Sequence, residues 1–265
     1  MPRQVTAFSN PTVKRLRSLR EKKGRRAEAL FLAEGLRILV EARDSGRLPE
    51  IIAFSPEGAR HPLAAEIIAA TEAAGGEAIE TTRDILAKMS GKDNPQMVLG
   101  AFRETSPELG RIDRSSADLW IVAQALRDPG NIGTILRTGD AVGAGGLILI
   151  DDSADPFSVE AVRASMGAIF TKEVVAARWP EFLAWLRAGE GQLVGTSLKA
   201  THDYIEAEYR KPCFLLIGNE QQGLPADYEA ECDLLVKIPM AGRADSLNAA
   251  IAAAVMAFQV RVSWR

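Results

Sequence analysis

Apolar positions along the chain follow two alternating patterns. Residues 12–23 have helical spacing, with Val13, Leu16 and Leu19 on one stripe and cations around them. Short apolar runs follow at 29–33, 51–54, 78–79 and 97–102, and helical patterns lie between them at 36–44, 63–74 and 85–89. This predicts a small α/β domain over residues 1–105. Residues 106–117, with Pro107, Gly110 and Ser115-Ser116, have the composition of a linker. From Asp118 onward the pattern is strand, helix, strand, repeated. The runs at 120–125, 146–150, 172–175, 193–196, 214–217 and 234–238 are continuously apolar and rich in Val, Ile and Leu. Continuous apolarity means burial on both faces, as in the parallel strands of α/β sheets. Helices fit at 132–142, 159–164, 180–187 and 247–260. The second domain, 118–265, is therefore expected to be α/β around a parallel sheet.

Composition narrows this little: 47% hydrophobic and 25% charged residues in 265 describe an ordinary globular protein with room for two cores. No stretch approaches the roughly 20 uninterrupted apolar residues of a membrane helix, and the first residues lack the apolar run of a signal peptide. No membrane contact and a cytoplasmic location are expected. Cys213 and Cys232 form no CxxC pair, and His61 and His202 are the only histidines. No metal site is expected, and a Ser-His-Asp hydrolase is disfavoured.

Charge distribution says more than the net charge of −3. Residues 1–26 hold nine basic groups against one acid, which leaves the remainder at −11. The cations Lys14, Arg15, Arg17, Arg20, Lys22, Lys23, Arg25 and Arg26 are candidate contacts to nucleic-acid phosphates, and a solvated basic tail is the alternative.

Three loops carry candidate chemistry, each after a predicted strand, where open α/β sheets bind ligands. The first runs Leu126-Arg127-Asp128-Pro129-Gly130-Asn131-Ile132-Gly133, with Arg137 six residues beyond Asn131. Asn131 is a good helix N-cap, and a cap with a solvent-facing Arg137 would explain the pair without function. The second, Gly218-Asn219-Glu220-Gln221-Gln222-Gly223-Leu224-Pro225, sets a carboxylate and three amides between glycines, which permit close backbone approach. The third, Ile238-Pro239-Met240 through Ser246-Leu247-Asn248, feeds the last helix; Asp245 or Ser246 can cap it. Behind it Leu247, Ile251, Val255, Phe258 and Val262 form an apolar stripe. There is no GxxxxGK[ST] phosphate loop and no GxGxxG after a strand, so a nicotinamide site is weakly supported.

Together the loops resemble the three signature motifs of the SpoU/TrmH family of SPOUT methyltransferases. The matching residues are Asn131, Gly133 and Arg137; Gly218-Asn219-Glu220 with Gly223-Leu224; and Ile238-Pro239-Met240 with Ser246-Leu247-Asn248. Asn10-Pro11-Thr12-Val13-Lys14 and Phe31-Leu32-Ala33-Glu34-Gly35 are similar to that family's auxiliary RNA-binding domain. The resemblance implies a parallel-sheet SPOUT domain threaded into a trefoil knot and preceded by a smaller α/β RNA-binding domain. It further implies a homodimer, S-adenosylmethionine as cofactor, and methylation of a ribose 2′-hydroxyl in RNA, with 23S rRNA favoured and no DNA partner. Thr196, Gly218, Asn219, Ile238, Met240, Ser246 and Leu247 would hold the cofactor. Arg137 would be the central catalytic residue, with Glu220, Asn131, Ser246 and Asn248 positioning the ribose or the loops. A guanidinium with a pKa above about 12 is a poor base, so Arg137 is expected to act as a cation that eases loss of the hydroxyl proton. Transfer-RNA methylation, base methylation and non-catalytic RNA binding or ribosome assembly are the competing readings.

Overall fold

The computed structural model describes residues 2–243 and 245–265. In chain order it first forms β1 (Arg3–Val5), α1 (Pro11–Ser18), α2 (Lys22–Glu28), β2 (Leu30–Glu34), α3 (Leu36–Asp44) and β3 (Ile51–Phe54). α4 (Pro56–Arg60), α5 (Pro62–Ala73), β4 (Glu77–Thr81), α6 (Arg83–Ser90) and β5 (Val98–Arg103) follow. Next come β6 (Leu119–Gln124), α7 (Pro129–Ala141), β7 (Gly146–Ile150), α8 (Val159–Ser165), β8 (Glu173–Ala177) and α9 (Trp179–Arg187). The chain ends with β9 (Gln192–Thr196), β10 (His202–Asp203), β11 (Cys213–Ile217), α10 (Ala226–Ala230), β12 (Leu234–Lys237) and α11 (Ala249–Ser263).

These elements fall into two units. One comprises Met1–Thr105 with Asp155–Thr171, the other Ser106–Ala154 with Lys172–Arg265. Helix α8, which the sequence pattern assigns to the second domain, thus belongs to the first unit. Its flanking aromatics give the reason. The Phe157 ring lies 5.1 Å from Phe31, and Phe170 lies 5.7 Å from Phe31 and 4.7 Å from Phe102. Burying each phenyl group contributes roughly 1.5–3 kcal/mol, and no local sequence pattern reveals so distant a partner.

The first unit is built on a five-stranded sheet in the order β1-β4-β3-β5-β2, in which β5 runs antiparallel to both its neighbours. The helix expected over 12–23 is broken in two. α1 stops at Ser18, and Arg25 of α2 folds back to donate from Nη1 to the carbonyls of Leu19 and Arg20, both at 2.9 Å. Gly24 permits the turn, because a Cβ there would stand 2.0 Å from the Ser18 carbonyl oxygen. Val13, Leu16 and Leu19 do form the inward stripe and are buried.

In the second unit all seven strands are parallel, in the order β10-β12-β9-β11-β6-β7-β8. Both faces are covered, and Trp120, Val122, Phe182, Leu193, Phe214 and Leu216 share one core cluster. The 106–117 stretch is no free tether. The Arg114 guanidinium lies 4.1 Å over the Trp185 ring and donates to Leu186 O (2.9 Å), while Trp120 Nε1 donates to Arg114 O (3.1 Å). Strands β6 and β11 lie side by side at the centre. β7 and β8 extend the sheet one way, and β9, β12 and β10 the other. Such a reversal of strand order opens a crevice beyond the carboxyl ends of the central strands.

Helix α11 packs along α7. It buries Ala249, Ala250, Ala253, Met256, Ala257 and Val260. The apolar stripe read from the sequence lies on the outer face: Ile251, Phe258 and Val262 are exposed, with Val255 half-buried between them. Alanine supplies the inner face because it lets α11 approach its neighbours closely, and bulkier residues are left for the outer face. No helix among the described residues is long and apolar enough to cross a membrane.

Candidate functional site

The site is assembled from the loops that leave β6, β9, β11 and β12 at their carboxyl ends. After Gln124, Ala125 takes a left-handed conformation (φ 48°) that costs a non-glycine residue roughly 1–2 kcal/mol. The bend is held from the neighbouring strand's loop, where Asn219 Nδ2 donates to Ala125 O (2.8 Å). Asp128 then caps α7 by accepting from Gly130 N (2.8 Å). Asn131, expected at the cap, sits instead in the first turn of the helix, so its amide is free for tertiary contacts.

The loop after β11 closes on itself. Asn219 Oδ1 accepts from Gln221 N (2.9 Å), and Gly223 N donates back to Asn219 O (2.9 Å). Gly218 is required here because a Cβ would stand 2.5 Å from the carbonyl carbon of Gly223. Just beyond, Tyr228 stacks on Trp179 with ring centroids 3.9 Å apart and donates to Asp151 Oδ2 (2.8 Å). Burial and that hydrogen bond raise the phenol's pKa and keep it protonated.

Three of the predicted residues meet in one hydrogen-bonded chain. Asn131 Nδ2 donates to Glu220 Oε1 (2.8 Å), and Asn248 Nδ2 donates to Asn131 Oδ1 (3.0 Å). Asn248 Oδ1 in turn accepts from Ala250 N (2.9 Å) and Ile251 N (3.3 Å), so it, not Asp245 or Ser246, caps α11. Each asparagine uses its carbonyl and its amide at once, which fixes three loops to one another.

Two cavities flank this chain. The smaller, about 350 Å³, is walled by Leu198, Val236, Ile238, Met240 and Leu247, with Thr196, Asp245 and Ser246 as polar groups. The seven residues expected to hold the cofactor (Thr196, Gly218, Asn219, Ile238, Met240, Ser246 and Leu247) all line it. Apolar walls with a hydroxyl, backbone groups and a carboxylate suit a nucleoside bearing an amino-acid tail, so the donor set fits S-adenosylmethionine. The larger cavity, about 840 Å³, is polar and holds Gln124, Arg127, Asp128, Asn131 and Asn248. Residues Asn219, Glu220, Gln221, Gln222, Gly223 and Leu224 line both and form the wall between them.

Arg137 is not among these residues. It projects from α7 into solvent beside the exposed Thr134 and Asp140, and it lines neither cavity. The basic segment also needs one correction. Arg25 is buried, and its Nη2 donates to Asp155 Oδ2 (2.7 Å), so it holds the 155–171 insertion in the first unit and has no access to RNA. Lys14, Arg15, Arg17, Arg20, Lys22, Lys23 and Arg26 are exposed, with Arg15 paired to Glu28 (2.7 Å). Burial pushes the thiols of Cys213 and Cys232 up to about 12, so neither is a nucleophile at neutral pH. No group of three metal-ligating side chains occurs among the described residues.

Sequence reasoning missed Gln124 and gave no role to Arg127, although Arg127 stands in the first candidate loop. The only available signal was a polar residue ending an otherwise apolar strand.

A parallel α/β sheet with two cavities sharing one glycine-flanked wall at its switch point is suited to a domain that brings two ligands side by side. Comparison with known proteins makes this specific. Residues 118–258 match the SpoU rRNA Methylase family and residues 10–100 the MRM3-like substrate binding domain. The AdoMet-bound rRNA methyltransferase from Sinorhizobium meliloti superposes with a TM-score of 0.91 at 40% identity, covering 98% of this chain and 97% of that one. The 23S rRNA (uridine(2479)-2′-O)-methyltransferase of Streptomyces viridochromogenes is 32% identical over 93% of this chain and 88% of its own. The 23S rRNA (guanosine(2553)-2′-O)-methyltransferase RlmP of Bacillus subtilis is 29% identical over 98% and 99%. The chain belongs to the SpoU rRNA methylase family.

Proposed function

We infer that this protein transfers the methyl group of S-adenosylmethionine to a ribose 2′-hydroxyl in 23S rRNA. The observation that carries the reading is the shared wall. Glu220 stands between a cavity that suits the cofactor and one large enough for a nucleotide, and Asn131 fixes its orientation.

When bound, S-adenosylmethionine supplies a sulfonium-activated methyl group, so the protein's task is orientation and electrostatics. Ile238, Met240 and Leu247 would enclose the cofactor, and Thr196, Ser246 and the backbone of Gly218 and Asn219 would hold its polar groups, since all of them line the smaller cavity. Glu220 Oε1 is engaged by Asn131. Oε2 remains to orient the ribose hydroxyl or accept its proton, with a phosphate oxygen or water as the other acceptors. Arg137 stabilises the developing alkoxide as a fixed cation.

Because Arg137 lines neither cavity of its own chain, this role calls for a second copy. The exposed stripe Ile251, Val255, Phe258 and Val262 on α11 supplies a self-complementary apolar face for such a homodimer. The family's trefoil knot is part of the same reading, with the loops after β11 and β12 closing around the cofactor. The first unit presents its exposed cations to rRNA phosphates and selects the local RNA structure. The protein works in the cytoplasm, where ribosomal RNA is assembled.

Mapping 2′-O-methyl sites in 23S rRNA from cells with and without the protein tests the reading. Loss of one ribose methylation supports it; loss of a base methylation, a tRNA site or no modification at all overturns it.

A further inference from the structure

Gln124 closes β6 and is buried, with 8% of its surface exposed. It lines the larger cavity, and its side chain makes no hydrogen bond among the described residues, whereas Asn131, the other buried polar residue of that lining, is engaged through both its amide and its carbonyl. The amide of a residue that is otherwise buried is thus left with its donor and acceptor open toward the cavity, free for something that enters. Arg127, three residues on, lines the same cavity and forms no ion pair or hydrogen bond among the described residues. The left-handed bend at Ala125, held by Asn219, lies between the two residues in the chain.

We propose that Gln124 and Arg127 make the larger cavity a receptor for one extruded nucleotide, Gln124 pairing with its base edge and Arg127 holding its phosphate. This rests on the methyltransferase reading and gives the acceptor side of that site its specificity. An amide presents a donor and an acceptor side by side, and uracil, guanine and adenine edges each offer the complementary pair. A guanidinium is suited to the phosphate of the same unit. The cavity's polar lining and its volume suit a nucleotide lifted out of a stack, the form in which enzymes reach groups buried in RNA structure. Glu220 on the shared wall then faces the ribose lying between base and phosphate.

The test uses the full-length protein and 23S rRNA from cells that lack it, with methyl incorporation, calorimetric cofactor titration and thermal unfolding read together. Gln124→Ala and Gln124→Leu should raise the KM for RNA about tenfold, the scale of one lost hydrogen bond, with cofactor Kd within twofold and Tm unchanged. Gln124→Asn, which keeps the amide on a shorter stem, should recover part of the loss. Arg127→Ala should raise the KM and lower the slope of log affinity against log salt by about 0.7, as expected for one phosphate contact. An unchanged KM for RNA in both Gln124 variants, with the wild type active, overturns this assignment alone. So does a KM rise accompanied by an equal loss of cofactor affinity or a fall in Tm, which marks a purely structural role. A wild-type protein that transfers no methyl group removes the methyltransferase reading and this inference with it.

Discussion

The Asn131 amide reaches across 89 positions of sequence to donate to the Glu220 carboxylate at 2.8 Å, while its own carbonyl accepts from Asn248. One side chain from the first loop therefore sets the geometry of the second and third. Asn131→Ala should lower methyl transfer by about 10²-fold, as expected when a positioned group drifts by an ångström. Cofactor affinity should fall far less, because Asn131 does not line the smaller cavity. Steady-state kinetics and calorimetric titration of the same preparation check both parts.

Arg137 is exposed and lines neither cavity of its own chain, yet the proposed mechanism needs its charge. Arg137→Ala should cost about 10²–10³ in kcat, the range for losing one oxyanion-stabilising donor. If the residue serves a second copy's site, mixing Arg137→Ala with Glu220→Gln protein should restore activity that neither variant has alone. A mixture as inactive as its components would rule out service to a second copy, and an Arg137→Ala protein with wild-type kcat would place Arg137 outside the chemistry.

The outward face of α11 predicts association. Ile251→Asp or Phe258→Asp puts a charge into the apolar stripe and should convert a dimer to monomer in analytical ultracentrifugation, with activity falling in step. Both side chains are about half exposed in the single chain, so the monomer's Tm should change little. A wild-type protein that sediments as a monomer at micromolar concentration would remove this assignment.

Arg25 has a different expected phenotype from its basic neighbours. Arg25→Met leaves Asp155 without its partner and the Leu19 and Arg20 carbonyls without their donor, so it should destabilise the first unit by about 3 kcal/mol. Urea unfolding measures this loss, and RNA affinity per folded molecule should stay near wild type.

The exposed cations Lys14, Arg17, Lys22 and Lys23 should act through RNA instead. Alanine at each position that contacts a phosphate should reduce the salt slope of RNA binding by about 0.7 without altering its sequence preference. Deleting residues 1–26 would not be a clean test, since Val13, Leu16 and Leu19 belong to the first unit's core. A salt titration of the quadruple variant that overlays the wild type would discard the role.

Much of the fold was legible because the signal was local. Continuous apolar runs marked the parallel strands, and the helix at 36–44 and strands at 51–54 and 146–150 appear with the expected limits. The polar residues that end up in one site were legible from three loops after three strands, and all seven expected cofactor contacts line one cavity. What escaped depends on contacts between distant residues. Phe157 and Phe170 read as part of the second domain until their ring partners are known. Helix α11 carries apolar residues on two opposite faces, and hydrophobicity alone favours the bulkier one, whereas packing buries the alanines. Arg25 lies in a run of cations, and only the Asp155 carboxylate distinguishes it. Asn131 looked like a cap because the carboxylate three residues earlier, Asp128, takes that place first.

The discontinuous make-up of the first unit bears on how the chain is born. Phe31 and Phe102 leave the ribosome well before Phe157 and Phe170, and until residue 171 is synthesised the nascent unit exposes the apolar patch those rings will cover. The two units therefore cannot mature as successive beads on a string. The amino-terminal one must wait, partly open, while β6, α7 and β7 of its neighbour emerge, and this interval is where a chaperone would find the chain most accessible.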